Sequence, residues 1–330
     1  MPSGALSVNA SGFLTNRASR DCLHPAVSVV ITLYNYASYI SGCLDSVQAS
    51  RTEGLQGGFE VIVVDDASTD SSVRVVEEYM ADHPLPVCLV KKTLNSGVSD
   101  ARNMGLQAAR APLVFMLDAD NAIRPDCLQA HHHAIVSSGC AMSYGIINRF
   151  DNATRETVGT TLPQEWNVRE LVSRPYIDAM AMIRKEPVLQ LCGYSPEYDG
   201  RIAPQGWEDY DLWLKLAQAG HSGKLIPQVL SDYRVHSDSM IHKIHRTDSS
   251  RRELALYFSR KFHSLVQLHP DLPELFGFSR RELQTTNRQP VRPPARPKTT
   301  SQKVAQGILG RKLSRSISKR LASAYSWMHP

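Results

Sequence analysis

Short, almost wholly apolar runs alternate with helically spaced apolar positions along the first 120 residues. Ala26 to Leu33 is rich in β-branched residues and reads as a buried strand. Tyr34, Asn35 and Tyr36 interrupt it, and Ile40, Leu44 and Val47 then recur at helical spacing between Ser38 and Ala49. Phe59 to Val64 predicts a second buried strand, closed by Asp65 and Asp66. Ser68, Thr69, Asp70 and Ser71 offer helix caps ahead of Val73, Val76, Tyr79 and Met80. Val87 to Val90 predicts a third strand, Asn95 to Gly97 a turn, and Ser99 to Ala109 a helix. Leu113 to Leu117 is too short to span a membrane and reads as a fourth strand, running directly into Asp118 and Asp120. Strands alternating with helices predict an α/β fold with a doubly wound, mostly parallel sheet and helices on both faces.

From about residue 140 the pattern loosens. Met142 to Asn148 and Ile177 to Ile183 read as further strands, Trp207 to Ala219 as a helix, and Leu225 to Val235 as extended chain. A helix follows from about Ser249 to Leu268, and Pro290, Pro293, Pro294 and Pro297 mark an extended linker. The 330 residues thus divide into a flexible, Ser/Ala/Asn/Gly-rich arm (1–25), a globular domain (26–245), a helical extension (246–280) and a Pro-rich linker with a basic tail (281–330). Within the domain, 26–125 reads as a nucleotide-binding half and 126–245 as an acceptor half.

A hydrophobic content of 42% and a charged content of 21% suit a globular protein with a sizeable core. No run has the length of a transmembrane helix, and the first 25 residues lack a signal-peptide apolar segment. The six cysteines are scattered without a C-x-x-C pair, which argues against a zinc site or a disulfide framework and fits a reducing cytosol. The net charge of +5 conceals an asymmetry: from Arg280 onward there are twelve Lys/Arg and a single acid, Glu282, so the rest of the chain is net negative. In the tail, Val304, Ile308, Leu309, Leu313, Ile317, Leu321 and Tyr325 recur at near-helical spacing with basic residues between them. That pattern predicts a basic amphipathic helix lying on an anionic membrane, although a solubilising tail or a helix packed on a partner would carry the same residues. Without interleaved aromatics or a recognised binding fold, no nucleic-acid partner is expected.

Three of the first four strands end in polar residues: Thr32 and Asn35, Asp65 and Asp66, Asp118 and Asp120. In a parallel sheet these ends share one edge, where open α/β folds bind ligands. Alternation along a strand would point Asp118 and Asp120 the same way, and two such charges invite a hard divalent cation with phosphate as co-ligand. A strand followed by an acidic turn would show the same two residues. There is no G-x-G-x-x-G after the first strand and no G-x-x-x-x-G-K-S/T, which disfavours dinucleotide dehydrogenases and P-loop enzymes. Glu208 and Asp209 open a helix, where they either serve its dipole or present a general base to the pocket. Arg234 and His236 close another strand, and His236 is a candidate third metal ligand.

Taken in order, Val27 to Asn35, Val63 to Asp70, Asn95-Ser96-Gly97, Ala101-Arg102-Asn103 with Gly105, Asp118 with Asp120, Gly206 to Asp209, and Tyr233-Arg234 with His236 resemble glycosyltransferase family two, inverting enzymes with the GT-A fold. The resemblance covers about residues 26–240. It implies that Thr32 and Asp66 contact the nucleotide base of the donor, that Tyr34 and Asn35 shape its pocket, and that Arg102 touches the nucleotide. Asp118 would reach the ribose or the metal, Asp120 would bind Mn²⁺ or Mg²⁺, and Arg234 and His236 would hold the diphosphate or the metal. Asp209 would be the base, with Glu208 as its competitor and Trp207 near the acceptor sugar. The implied donor is a nucleoside diphosphate sugar, a UDP-sugar in the first instance, and the acceptor is a hydroxyl in polysaccharide, glycolipid or glycoprotein assembly at the cytoplasmic membrane face. The chain lacks the Q-x-x-R-W motif and the membrane helices of processive synthases, so a single transfer is expected.

Two rivals and two distractors remain. A sugar-phosphate nucleotidyltransferase would need a Gly-rich basic loop after the first strand, where this chain has Tyr34, Asn35 and Tyr36. A catalytically inactive binding scaffold would not need Asp118, Asp120, Asp209 and His236 together. His131, His132 and His133 lie on a predicted helix where consecutive side chains diverge, so they read as solvated. Trp213 reads as core.

Overall fold

The computed structural model describes residues 6–195, 206–236 and 248–280. Two short strands, β1 (Ser7–Val8) and β2 (Leu14–Thr15), and a short helix, α1 (Arg17–Asp21), precede the first long strand, β3 (Val27–Leu33). The chain then alternates through α2 (Ile40–Gln48), β4 (Phe59–Asp65), α3 (Ser72–Asp82), β5 (Val87–Lys91), α4 (Val98–Ala108) and β6 (Leu113–Asp118). The second half runs through β7 (Ala122–Ile123), α5 (Cys127–Ser138), β8 (Met142–Asp151), β9 (Thr157–Thr160), α6 (Val168–Ser173), β10 (Ala181–Arg184), α7 (Lys185–Gln190), α8 (Glu208–Gln218) and β11 (Gly223–Val235). An extension adds α9 (Asp248–Lys261), α10 (His263–Leu268) and a hairpin of β12 (Glu274–Leu275) and β13 (Phe278–Ser279).

The main sheet runs β1-β2-β5-β4-β3-β6-β10-β8-β11-β7, with β9 beside β8. β5, β4, β3 and β6 are mutually parallel, as their nearly all-apolar sequences require of strands covered on both faces. β10 enters antiparallel between β6 and β8, so the sheet is mixed rather than a continuous parallel array. The segment predicted as a strand from Ile177 begins its ladder only at Ala181, because Asp178 turns back to accept the Met180 N–H at 3.0 Å. One apolar layer packs α2, α3 and α5 on one face, including Ile31, Leu44, Val76 and Ile135. The other collects α4, α6, α8 and the extension around Trp213, Tyr210, Phe258 and Phe276.

Two features depart from expectation. Residues 6–21 are not a flexible arm: β2 pairs with β5, and the buried Asn16 side chain donates to Leu85 O at 2.7 Å while accepting from Ser19 and Val87. Polar composition concealed this because the apolar anchors, Leu6, Phe13 and Leu14, are few and much of the hold comes from the hydrogen bonds of Asn16. His131 is fully buried, not solvated; its Nδ1 lies 2.8 Å from Ser143 Oγ, and burial drives its pKa down to about 3. The expected basic tail over 281–330 lies outside the described residues, as does the loop from Tyr198 to Gln205. No helix among the described residues is long and apolar enough to cross a membrane.

Candidate active site

The parallel register aligns the carboxyl ends of β3, β4 and β6: Thr32 pairs with Asp118 and Leu33 with Asp65. Thr32 Oγ1 donates to Asp118 Oδ1 at 3.1 Å. β6 ends at Asp118, and the next residues turn, with Asn121 N donating to Asp118 O at 3.0 Å. Strand alternation therefore stops, and the two acids find different surroundings. Asp118 Oδ1 also accepts from Arg102 Nη2 at 3.0 Å on the α4 side. Asp120 Oδ2 lies 2.9 Å from His236 Nε2, and the Asp120 carboxylate sits beside the Tyr36 hydroxyl. Burial and the Asp118 charge raise the pKa of Asp120, while His236 opposes the shift.

The expected three-ligand set of Asp118, Asp120 and His236 is not assembled: no group of three or more His, Cys, Asp or Glu among the described residues is placed to hold a metal ion. Asp118 is drawn away by Arg102. The Asp120–His236 corner does fit a hard divalent ion. Two ligands at about 2.1 Å on adjacent octahedral positions stand about 3 Å apart, and these two atoms are 2.9 Å apart. Arg234 braces the corner, with its backbone N–H on Asn121 Oδ1, Nε on Asp120 O and Nη1 on Asn152 Oδ1. Its guanidinium lies 4.9 Å from the Tyr39 and Phe150 ring centres.

The remaining residues expected on the donor side form a network of loops. Asp66, expected to meet the base, is buried and accepts from Ser96 N at 3.1 Å and Gly97 N at 2.9 Å, with Lys92 Nζ at 2.5 Å. Asn35, at φ +57°, uses Oδ1 to accept from Thr69 N at 2.7 Å and ties the β3 loop to the β4 loop. Tyr34 is exposed at the same edge. Lys92 and Asp100 escaped sequence reasoning because a lysine after a strand carries no signal until the fold closes it on Asp66 and Asp100.

At the start of α8 the Glu208-Asp209 pair separates. Glu208 is buried and accepts from Arg102 Nη1 at 2.8 Å. Asp209 instead lines a cleft of about 640 Å³ with Asp178, Tyr144, Tyr176, Trp207 and Arg174. Burial, then the carboxylates of Glu208 and Asp178, push Asp209 well above the ordinary carboxylate range, with Arg102 opposing. Asp178 carries no signal in the sequence, where it is one acid in the run Ile177 to Ile183 that reads as a strand, and only the fold places it in the cleft with Asp209. Trp207 borders the cleft and also packs on Tyr210, Phe258 and Phe278, at centroid distances of 5.7, 6.0 and 6.0 Å.

Residues 28–191 match the profile described as Glycosyl transferase family 2. The chain belongs to glycosyltransferase family 2. The amylovoran biosynthesis glycosyltransferase AmsE of Erwinia amylovora is 27% identical over 241 residues, which cover 70% of this chain and 84% of AmsE. The chain spans between 13% and 28% of the length of the first three curated relatives it matches. Among solved structures, S. aureus TarS 1-349 in complex with UDP-GlcNAc superposes with a TM-score of 0.59 at 20% identity, covering 77% of this chain and 74% of that one. The mannosyltransferase PcManGT of Pyrobaculum calidifontis, in complex with GDP-Man and Mn²⁺, superposes with a TM-score of 0.55 at 19% identity, covering 91% and 79%. These likenesses establish the GT-A fold of this family 2 chain.

Proposed function

We propose that this family 2 chain transfers a single glycosyl group from a nucleoside diphosphate sugar to a hydroxyl acceptor, with inversion at the anomeric carbon. The observation that carries the reading is the placement of Asp209, a carboxylate of raised pKa that lines a cleft and follows Glu208, which shares the Arg102 guanidinium with Asp118 at the end of β6. A base must be basic enough to take a hydroxyl proton, and burial beside Glu208 and Asp178 gives the Asp209 carboxylate that basicity while Arg102 favours its charged form. The acceptor oxygen bonds to C1 as the C1–O bond to the diphosphate breaks, and the acceptor proton passes to Asp209. One carboxylate suffices, because the leaving group departs as a stabilised anion and no glycosyl-enzyme intermediate is needed. Thr32, Tyr34, Asn35 and Asp118 border the donor edge, and Asp178, Tyr176 and Trp207 line the acceptor side. Asp120 and His236 would hold a divalent ion, which when bound supplies positive charge to the departing diphosphate. Arg234 keeps that corner in place.

UDP-GlcNAc and GDP-Man, the donors in the TarS and PcManGT complexes, are the first candidates. The acceptor belongs to surface-polysaccharide or related assembly, as the name of AmsE suggests, and the basic tail would hold the enzyme at the inner membrane face. Thermal unfolding with UDP, GDP and dTDP, each with and without Mn²⁺, tests the donor reading. Stabilisation by at least one nucleotide that grows with Mn²⁺ is expected; no stabilisation by any of them would sink it.

A further inference from the structure

Building on the glycosyltransfer reading above, we propose that Arg102 is a positioning residue that decides which of the two adjacent acids acts as base and sets that base against the donor site. The guanidinium is 3% exposed, with Nη1 2.8 Å from Glu208 Oε1 and Nη2 3.0 Å from Asp118 Oδ1. Consecutive residues on a helix point about 100° apart, so fixing one dictates the other. By pinning Glu208 toward α4, Arg102 leaves Asp209 facing the cleft, whose lining includes Asp209 and not Glu208. Glu208 Oε2 is buried with no hydrogen-bond partner among the described residues, so its ion pair with Arg102 is what keeps that carboxylate tolerable in place. The same planar fork reaches the end of β6, so one rigid group spans the donor-side carboxylate and the base helix. The next residue repeats the device: Asn103 Nδ2 donates to Tyr194 O at 2.8 Å and Oδ1 accepts from Tyr194 N at 2.7 Å. Asn103 and Arg102, which lies 5.4 Å from the Tyr194 ring centre, thus make α4 a strut between the two halves of the site.

The groups around Asp209 are Glu208 on α8, Asp178 before β10, Arg102 on α4, Tyr194, and Arg174 and Tyr176, which line the same cleft. Loss of the cation raises the pH at which the base ionises, and loss of the Glu208 charge lowers it. The experiment measures kcat and donor KM against pH for the full chain with UDP-GlcNAc and with GDP-Man, each with Mn²⁺. It compares Arg102→Met, Arg102→Lys, Glu208→Gln and the Arg102→Met/Glu208→Gln double variant. Carboxyl ¹³C titration of Asp209, assigned by its absence in Asp209→Asn, runs in parallel and needs no turnover.

Arg102→Met is expected to lose about 100-fold in kcat, since a small displacement of a reacting group costs that much, and to move the acid limb to higher pH with little change in KM. Arg102→Lys restores the limb but not the rate, because it keeps the charge and loses the fork. Glu208→Gln moves the limb to lower pH while still transferring, and the double variant recovers rate relative to Arg102→Met. An acid limb and an Asp209 titration that stay in place in both single variants would overturn the proposal, because a merely structural Arg102 lowers the amount of folded enzyme and shifts neither. Glu208→Gln as inactive as Asp209→Asn would overturn it too. If Arg102→Met does not fold, the direction of the Glu208→Gln shift decides. Failure of the wild type to turn over either donor, with the titration shifts as expected, counts against the glycosyltransfer reading and leaves the Arg102 assignment standing.

Discussion

Asp209 and His131 show burial acting on ionisable groups in opposite senses. Asp209 has its pKa raised above the unfolded value by burial and two acids, so its ionisation favours the unfolded chain at every pH above the ordinary carboxylate range. Asp209→Asn should therefore abolish transfer, by about 10²-fold or more, keep nucleotide binding, and raise the urea midpoint at neutral pH; transfer that persists would show that another group is the base. His131 is held neutral to about pH 3, whereas the unfolded chain takes up its proton near 6.5. Between those values the unfolded state binds more protons, so stability falls as the pH drops. His131→Asn, which can keep a hydrogen bond to Ser143, should show a shallower loss of stability across that window. An equally steep loss would mean that other groups govern acid unfolding.

At the scale of elements, α4 and α8 are held by contacts that make their sequences intolerant. A Cβ on Gly105 would lie 2.3 Å from Val30 Cγ1, so α4 lies against β3 at a distance only glycine allows. Alanine gains about 1 kcal/mol of helix propensity, but forcing α4 off the sheet costs about 1–3 kcal/mol. Chemical denaturation of Gly105→Ala should therefore show a net loss or no gain, and a clear gain would show that the helix can move away freely. On α8, the fully buried Asp211 meets Lys261 Nζ at 2.7 and 2.8 Å, with Tyr257 and Ser195 alongside. Lys261→Met leaves a buried carboxylate without its cation and should cost about 3 kcal/mol, read from the same denaturation curves. Asp211→Asn combined with Lys261→Met should recover part of that. The extension from α9 to β13 is thus tied directly to the helix that carries Asp209, and Phe258, Phe262 and Phe276 complete the core beneath it.

For the whole molecule, topology brings together residues that sequence order separates. β10 slots antiparallel between β6 and β8, and Asp178, just before it, lines the same cleft as Asp209 at the start of α8. The basic segment beyond Arg280 opposes a net acidic remainder. Deleting residues 290–330 should release the protein from phosphatidylserine-containing vesicles and leave nucleotide affinity unchanged, and undiminished vesicle binding would remove the membrane role.

Local patterning was enough for the parallel half. β-branched runs, helical spacing and polar strand ends specify β3, β4, β5 and β6 and the edge they share, because each signal arises within a few consecutive residues and burial on both faces leaves no alternative. The order of short motifs likewise disclosed the family. Chain order could not show how polar side chains pair across the fold. Arg102 occupied by Glu208 and Asp118, Asp66 turned onto Lys92, Asn16 anchoring the N-terminal residues and His131 in the core are all decided by which elements pack together. The choice between Glu208 and Asp209 is of this kind. Two acids side by side are equivalent on paper, and only a cation arriving from 106 residues away makes one of them structural and leaves the other facing the cleft.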